Sequence, residues 1–500
     1  MTRLQTILAL AFATVLLQFS PVVLAADSAH SFAGKSIYFV VGASEEDPAN
    51  DDYAIKRFLE ERGASVRLAA AADSTAPARG SHLIMISSTA DARVVRGRFR
   101  DSKLPVITWN AYLYPELGMT GDALHEDFSV VRESVNHNLN HASFYSYCVN
   151  AEHPISRSAG LPAGMFLNFM FSDETDMNWG NPTLGADVIS ITQGDPSKAA
   201  VFVYERGSLM DHDFQAPARR AGFFLGDDGF RQLSYAEGPA ARDPKQDQWF
   251  VGRDLFVATL EWLLAAPATS PMNEDRLATL LRTEADGKKV LFLRRENLPW
   301  PEGEKSDTAH LAVLAEAGFN VTINDQTMPE EDASNYDLII VSATTNKYKF
   351  GTKYTDAPVP VVLLEGKSVD AMKMAGRRRW TDYGTNDHKQ SIYPPEAYVK
   401  IMRPSHPMSA GFGAGLVRMY SEPGLITWSM PAAGATVIAT IPNQPHSAAI
   451  YGYEKGVTMA NDAIAPAKRV LFPVDFNRFH KLSDDGLRLY RAVLLWSLSN

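Results

Sequence analysis

The chain has 500 residues, of which 45% are hydrophobic and 21% charged, a composition typical of globular proteins. Its formal net charge of −10 argues against nucleic acid as a partner, because polyanions are bound by basic surfaces. Cys148 is the only cysteine, which excludes an internal disulfide. It lies in an alternating segment, residues 145–149, and we interpret it as a buried structural thiol rather than a nucleophile.

The N-terminus has the pattern of a secretory signal peptide. Arg3 precedes an apolar run over residues 7–17, and small or aliphatic residues lead up to Ala25. No later apolar run approaches the ~20 residues that span a bilayer. We therefore predict a signal peptide over residues 1–25, cleavage near Ala25, and a periplasmic or secreted protein without a membrane span.

Apolar strands and helices alternate after this segment. Strands are predicted at residues 37–41, 66–68, 82–87 and 105–109, and Gly63 ends the helix that follows the first strand. This rhythm indicates right-handed crossovers and a parallel sheet that is covered on both faces. Shorter segments separated by Gly and Pro then predict antiparallel additions, and residues 252–264 form an amphipathic closing helix.

The second half repeats these landmarks at nearly constant spacing. The matching pairs include Asp52 and Asp307, Gly63 and Gly318, Ser87 and Ser342, His153 and His406, Glu205 and Glu454, and Trp262 and Trp496. We therefore predict an α/β protein with two tandem domains, residues 34–266 and 287–500, joined by a linker at 267–286.

Three segments of the second half resemble class I glutamine amidotransferase-like domains. They are Asp-Leu-Ile-Ile-Val-Ser at 337–342, Pro-Val-Val-Leu-Leu-Glu at 360–365 and His-Pro-Met-Ser-Ala-Gly at 406–411. The nearest likeness is to the trehalose-utilisation (ThuA-like) branch. The resemblance implies a flavodoxin-like three-layer sandwich in each half, with mainly parallel sheets. It does not fix an activity, because one fold hosts many functions.

Catalytic amidotransferases carry a cysteine on a glycine-flanked turn between a strand and a helix, where the backbone stabilises the thiolate and the oxyanion. Ser87 and Ser342 stand at the corresponding strand ends here, without flanking glycines. We therefore predict that the protein is neither a glutaminase nor an amidotransferase.

Ligands of open parallel sheets bind beyond the carboxyl ends of the strands. This rule selects six candidate ligand-binding residues, which are Ser87, Ser88, Trp109, Asn110, Ser342 and Glu365. Trp179 is a further candidate, as an aromatic residue that could contact a sugar. The alternative for Ser87 and Ser342 is that each caps the next helix.

Most of the candidate catalytic residues also have a structural interpretation. His153 and His406 could serve as bases for a serine, but a His-Pro step is usually a turn in which the imidazole holds the backbone. Glu205 and Glu454 each neighbour a basic residue and could be ordinary ion-paired turn residues. Asp173 is a further acidic candidate.

Two candidate metal sites each have a simpler interpretation. His137 and His141 have the i, i+4 spacing that zinc uses, but no third ligand is visible and a polar surface cluster is the alternative. Asp173 and Asp176 supply oxygen ligands suited to calcium, without the glycine and terminal glutamate of an EF-hand. With Trp179 they could instead contact a sugar. No cofactor is predicted.

The sequence favours an exported, non-catalytic binding or scaffold protein for a small polar ligand, with carbohydrate as the first choice. The alternatives are a periplasmic carbohydrate-active hydrolase that uses Asp, Glu or His at the strand-end edge, and a structural partner of an envelope protein.

Overall fold

The computed structural model describes residues 32–73, 80–131, 145–169, 175–192, 194–235, 242–243, 248–265, 274–386 and 396–499. The predicted signal peptide, residues 1–25, lies outside them. The described chain forms two mixed sheets of 11 strands each, with helices packed against them. This confirms the α/β class and the presence of two similar domains. Within the described ranges, no helix combines the length and the apolar character needed to cross a bilayer.

The first domain contains the strands of the first sheet, a two-stranded ribbon and four helices. The strands are β1 Ser36–Val41, β2 Ser65–Ala70, β3 Leu83–Ile86, β4 Val106–Thr108, β5 Phe128–Val131, β6 Tyr145–Cys148, β7 Gly164–Leu167, β8 Met177–Gly180, β9 Asp187–Thr192, β10 Ala199–Tyr204, β11 Arg220–Gly222, β12 Arg242–Asp243 and β13 Gln248–Trp249. The helices are α1 Asp51–Glu60, α2 Ala92–Val95, α3 Pro154–Ser158 and α4 Gly252–Leu264.

The second domain repeats this plan. Its strands are β14 Lys289–Arg294, β15 Asn320–Asp325, β16 Leu338–Val341, β17 Val361–Leu363, β18 Tyr383–Thr385, β19 Tyr398–Ile401, β20 Gly415–Arg418, β21 Thr427–Ser429, β22 Thr436–Ile441, β23 Gln444–Tyr453 and β24 Arg469–Leu471. Its helices are α5 Glu274–Ala285, α6 Pro301–Glu316, α7 Lys347–Phe350 and α8 Asp484–Leu498.

The strand order identifies the fold of both domains. The first sheet runs β2-β1-β3-β4-β11-β10-β9-β6-β7, and the second runs β15-β14-β16-β17-β24-β23-β22-β19-β20. The first five strands of each order are parallel neighbours, in the 2-1-3-4-5 arrangement of flavodoxin-like sheets. The remaining strands on each path pair antiparallel, as predicted from their short, turn-separated segments.

Apolar clusters cover both faces of each sheet, which is why the central parallel strands are mainly apolar. Trp262 in α4 and Trp496 in α8 are buried against their sheets. Leu277 and Leu281 of α5 belong to the core of the second domain. The segment predicted as a linker therefore contributes a packed helix to that domain.

The two domains meet through equivalent segments. Leu209 N donates to Met402 O at 2.8 Å, and Thr458 N donates to Val149 O at 3.3 Å. Leu209 matches Thr458 in the repeat, and Val149 matches Met402, so the two bonds are related by an approximate two-fold axis. These segments lie at the amino-terminal ends of the parallel strands, which leaves the carboxyl-terminal ends away from the interface.

A buried ion pair departs from this symmetry. Arg403 is 2% exposed, and its guanidinium lies 2.6 Å from the carboxylate of Asp187 in the first domain. It also donates to the backbone carbonyls of Gly185 and Ala186. The positions that match Arg403 and Asp187 are Asn150 and Thr436, which cannot form an ion pair.

Candidate functional site

The turn after β3 is closed by its own hydrogen bonds. Ser87 is 1% exposed, and its Oγ accepts from Trp109 Nε1 at 3.2 Å and from Thr89 N at 3.2 Å. Thr89 Oγ1 donates to the Asp52 carboxylate at 2.6 Å. Burial raises the pKa of Asp52 to about 6, because the charged form is desolvated. The first strand-end serine is therefore part of an internal anchor between α1 and the sheet.

The second domain repeats this anchor. The Asp307 carboxylate accepts from Ser342 Oγ and, at 2.9 Å, from Thr344 Oγ1. Ser342 is also buried, and desolvation raises the pKa of Asp307. The expectation that Ser87 and Ser342 cap the next helices was wrong, because other side chains do so. They are Asp91 for α2 and Asn346 for α7.

At the end of the neighbouring strand β4, the polar side chain of the first domain is fully hydrogen-bonded to the backbone. Asn110 Nδ2 donates to Ala90 O at 2.8 Å and to Ser88 O at 3.3 Å, while its Oδ1 accepts from Tyr112 N at 3.2 Å. Asn178 reaches the same turn and accepts from Ala111 N at 3.1 Å. Both amides are used by the fold, so neither offers its full set of groups to a ligand.

Glu365 occupies the place of Asn110 in the second domain. It is 5% exposed, and its carboxylate accepts from Lys367 N at 3.1 Å. Desolvation, together with the negative charge of Asp475, raises its pKa to about 7. The positive charges of Lys367 and Lys347 lower the pKa, but by less. This carboxyl group therefore exchanges its proton near neutral pH.

A polar cluster surrounds this carboxyl group on one side. Lys347 Nζ donates to Asp370 Oδ2 at 2.7 Å and contacts Tyr383 OH at 2.6 Å. The Lys347 charge also lowers the pKa of Glu365, although by less than burial raises it. The matching residues of the first domain are Ala92, Pro115 and Phe128. The charged network is thus specific to the second domain.

A buried hydroxyl without a partner lies beside Glu365. Thr427 is 2% exposed, and its Oγ1 has no hydrogen-bond partner among the described residues. A Cβ placed on Gly366 would lie 2.5 Å from this oxygen, so the hydroxyl faces the turn that follows Glu365. Asn178, the matching residue of the first domain, is fully engaged. Of these two matching side chains, only Thr427 lacks a hydrogen-bond partner among the described residues.

An aromatic surface lies at the same edge of the second sheet. Trp300 is 43% exposed, and its ring centroid is 4.9 Å from that of Phe476. The Arg295 guanidinium lies 5.2 Å from the Trp300 centroid. Arg295 follows β14, and Phe476 directly follows Asp475 beyond β24. The edge thus combines aromatic faces, carboxyl groups and cations.

The recurring histidines lie at the opposite edge. His153 Nδ1 accepts from Ile155 N at 3.2 Å, and His406 Nδ1 accepts from Met408 N at 3.1 Å. Each ring centroid lies 5.7 Å from that of the closing-helix tryptophan. Burial lowers the pKa of both imidazoles to about 3. Pairing of these histidines with Ser87 or Ser342 is therefore wrong, and they cap short helices instead.

The two recurring glutamates are also at the amino-terminal edge. Both carboxylate oxygens of Glu205 accept from Arg219 at 2.9 Å, and Glu454 lies 3.7 Å from Lys468 Nζ. They are the ion-paired turn residues of the simpler interpretation. Cys148 is buried, and desolvation raises its pKa to about 11, which confirms a structural thiol.

Three of the four candidate metal ligands lie outside the described residues. These are His137, His141 and Asp173, while Asp176 directly precedes β8. In the described part of the chain, no group of three or more His, Cys, Asp or Glu side chains could hold a metal ion. Trp179 lies within β8 and is 4% exposed, so this candidate sugar contact is instead a core residue.

One surface cavity, of about 610 Å³, lies between Lys103, Arg206 and Leu263 at the amino-terminal edge of the first domain. It does not coincide with Glu365. The cavity also borders Ala265, where a described range ends, and its lining brings together fewer reactive groups. We therefore place the candidate site at the Glu365 edge.

Sequence reasoning selected Glu365 but missed Lys347, Thr427 and Asp475. Each differs in chemical type from its match in the first domain, which is Ala92, Asn178 or Gly226. A position-by-position comparison of the two repeats could have identified these three residues.

Comparisons with known proteins give low similarity. No protein-family model matches the chain, and no curated protein matches it significantly. A protein assigned as a GMP synthase subunit from Thermoplasma acidophilum is 12% identical, covering 46% of this chain and 94% of its own, with a TM-score of 0.25. A glutamine amidotransferase from Thermotoga maritima is 12% identical, covering 47% and 99%, with a TM-score of 0.26.

The exo-β-1,4-mannosidase Op5Man5 from Opitutaceae bacterium strain TAV5 is 11% identical over 51% of this chain, with a TM-score of 0.25. This chain spans 39% of the mannosidase's length. At these levels of similarity, the flavodoxin-like assignment rests on the strand order of the two sheets.

Proposed function

We propose that the protein binds a small polar ligand, with carbohydrate as the favoured class, at the carboxyl-terminal strand edge of the second domain. The observation that supports this is the contrast between two matching positions. Asn110 is saturated by backbone hydrogen bonds, whereas Glu365 is a buried carboxyl group with one backbone donor at 3.1 Å. Of these two matching positions, only the one in the second domain therefore carries a reactive group.

Carbohydrate is favoured by the chemistry of this edge. Sugars present hydroxyl groups around a ring whose C–H face is apolar, so their sites combine aromatic faces with carboxylates and cations. Trp300 and Phe476 supply aromatic surface, Glu365 supplies a carboxyl group, and Arg295 and Lys367 supply cations.

The first domain is proposed to serve as a scaffold. Its strand-end residues Ser87 and Asn110 are occupied by internal hydrogen bonds, and its other edge is docked on the second domain. We further propose that the chain is a ThuA-like relative without the amidotransferase nucleophile, exported after cleavage near Ala25. An envelope-protein partner is compatible with such a scaffold.

Isothermal titration calorimetry tests the proposal. The mature protein is titrated with glucose, mannose, trehalose, maltose, cellobiose and mannobiose. We expect binding of at least one sugar, and Trp300→Ala should weaken it about tenfold, because stacking on an aromatic ring contributes about 1.5 kcal/mol. Tyr112→Ala is the matched control, since Tyr112 is an aromatic of the first domain's strand-end edge and is 45% exposed.

If none of the sugars in the panel gives a heat of binding, the carbohydrate proposal is wrong. Equal weakening by Trp300→Ala and Tyr112→Ala would contradict the assignment of the site to the second domain.

A further inference from the structure

We infer that the second domain hydrolyses the glycosidic bond of the sugar it binds, with Glu365 as proton donor to the leaving oxygen and Asp475 as base for the attacking water. This inference rests on the proposed carbohydrate binding at the same edge. It adds a reaction and assigns two residues to it.

The two carboxyl groups emerge from adjacent parallel strands. β17 pairs with β24, and Leu363 is in register with Leu471. Glu365 follows Leu363 by two residues, and Asp475 follows Leu471 by four, so both lie beyond the same end of the sheet. The charge of Asp475 also contributes to the raised pKa of Glu365.

Their environments differ in the way that acid–base pairs require. Glu365 is 5% exposed and holds its proton near neutral pH because burial disfavours the carboxylate. Asp475 is partly exposed, so solvent water reaches it. A buried acid beside a solvated carboxylate is the arrangement by which two carboxyl groups take different roles in glycoside hydrolysis.

The groups that would orient a sugar are adjacent to this pair. Phe476 directly follows Asp475 and contacts Trp300, which places an aromatic surface beside the base. The buried Thr427 hydroxyl faces the Glu365–Gly366 turn and has no partner among the described residues. The matching positions of Asp475, Phe476 and Glu365 in the first domain are Gly226, Asp227 and Asn110, which cannot reproduce the arrangement.

The reaction balances with water as the only co-reactant. The Glu365 carboxyl group gives its proton to the glycosidic oxygen as the bond from that oxygen to the anomeric carbon breaks. A water oxygen forms the new bond to the anomeric carbon, and Asp475 takes one of the water protons. The products are two free sugars, and the proton returns from Asp475 to Glu365 through solvent.

Glu365→Gln separates binding from hydrolysis. In the full-length mature protein, this substitution keeps the size of the protonated carboxyl group, so binding of the disaccharide should remain measurable. The substitution should lower the rate of disaccharide hydrolysis by at least about 100-fold, because a general acid contributes 10²–10⁴-fold. Glu454→Gln is the matched control, as it changes a partly buried glutamate of the same domain at the opposite edge.

A second substrate tests the role of Glu365 rather than its presence. The 2,4-dinitrophenyl glycoside of the same sugar has a leaving group that needs no proton. We expect Glu365→Gln to hydrolyse this glycoside at a rate within about fivefold of that of the unmodified protein. Asp475→Asn should lose activity on both substrates. Circular dichroism melts of each variant establish that it is folded.

Binding of a sugar without release of product from either substrate would overturn this inference and leave the binding proposal standing. Full disaccharide turnover by Glu365→Gln would also overturn it. Absence of binding to any sugar would contradict the proposed function and this inference together.

Discussion

Glu365 and Asn110 occupy one position in two copies of a fold, and their surroundings decide what each can do. The strand-end rule selected both residues from sequence. It could not separate them, because the backbone carbonyls that saturate Asn110 belong to Ser88 and Ala90, on a loop from another strand. Only the three-dimensional structure shows which polar side chain is already used by the fold.

The buried Glu365 carboxyl group should make stability depend on pH. Its pKa rises from 4.5 unfolded to about 7 folded, so its favourable contribution is complete below pH 4.5 and is lost as the pH rises through 7. Glu365→Gln does not ionise. Its stability relative to the unmodified protein should therefore increase between pH 4.5 and 7.5, by about 3 kcal/mol at most.

Urea denaturation of both proteins at a series of pH values measures this difference. Glu302→Gln provides the control, because Glu302 is partly exposed in the first turn of α6, away from the buried carboxyl group. A difference between Glu365→Gln and the unmodified protein that stays constant from pH 4.5 to 7.5 would show that Glu365 is not desolvated as described.

Other residue predictions failed because burial cannot be read from spacing. Trp179 follows a run of acidic residues and was a candidate for contact with a sugar, but it lies in β8 and is buried in the core. The histidines recur with Ser87 and Ser342 in sequence, yet parallel strands separate them at opposite ends of the sheet. The His-Pro steps at His153 and His406 correctly favoured a role in turns, where each imidazole holds the backbone.

Among the elements, the turns at the domain interface depend on matching glycines. Gly185 and Gly434 correspond in the repeat, and a Cβ at Gly185 would lie 1.9 Å from Leu209 O. A Cβ at Gly434 would lie 2.3 Å from Val149 O, a carbonyl of the other domain. Both approaches are too close for any side chain, so the interface requires glycine there.

Gly434→Ala should therefore destabilise the docked domains by about 2 kcal/mol, within the usual range for overpacking. The methyl group would also disturb the Thr458 N to Val149 O hydrogen bond. Thermal unfolding followed by circular dichroism measures the effect. Gly413→Ala is the control, since a Cβ at Gly413 meets no atom within 4 Å. Equal melting temperatures for the two variants would contradict the close approach.

At the scale of elements, sequence periodicity located nearly every predicted strand to within two residues. The predicted strand at residues 37–41 is Ser36–Val41, and the closing helix at 252–264 is Gly252–Leu264. Buried parallel strands can be predicted from sequence because most of their residues are apolar. The role of α5 was not readable, because the pattern of Leu277 and Leu281 shows an apolar face but not which core receives it.

For the whole molecule, the Arg403–Asp187 pair should hold the two domains together. Arg403→Ala leaves the Asp187 carboxylate with little solvent access, which costs about 3–5 kcal/mol for a buried pair. Lys400→Ala is the control, because its partner Asp213 is largely exposed and such pairs contribute about 1 kcal/mol or less.

Urea unfolding followed by hydrogen exchange in each domain tests this expectation. Arg403→Ala should separate the unfolding of the two domains, and Lys400→Ala should not. If both variants unfold as the unmodified protein does, the ion pair is not what couples the domains.

The overall architecture was the most predictable level. Repeat spacing predicted two similar domains, and the strand–helix rhythm predicted parallel sheets in each. How the domains dock was not predictable, because Arg403 and Asp187 are far apart in sequence and neither belongs to a repeated pair.

The approximate two-fold axis has a consequence for assembly. Each domain presents a face that recognises its own equivalent, so the first domain of one chain could pair with the second domain of another. Covalent connection through the segment between Leu264 and Glu274 favours pairing within one chain, since a short tether gives an effective concentration in the millimolar range. Cutting or greatly lengthening that segment would turn an internal contact into one governed by protein concentration.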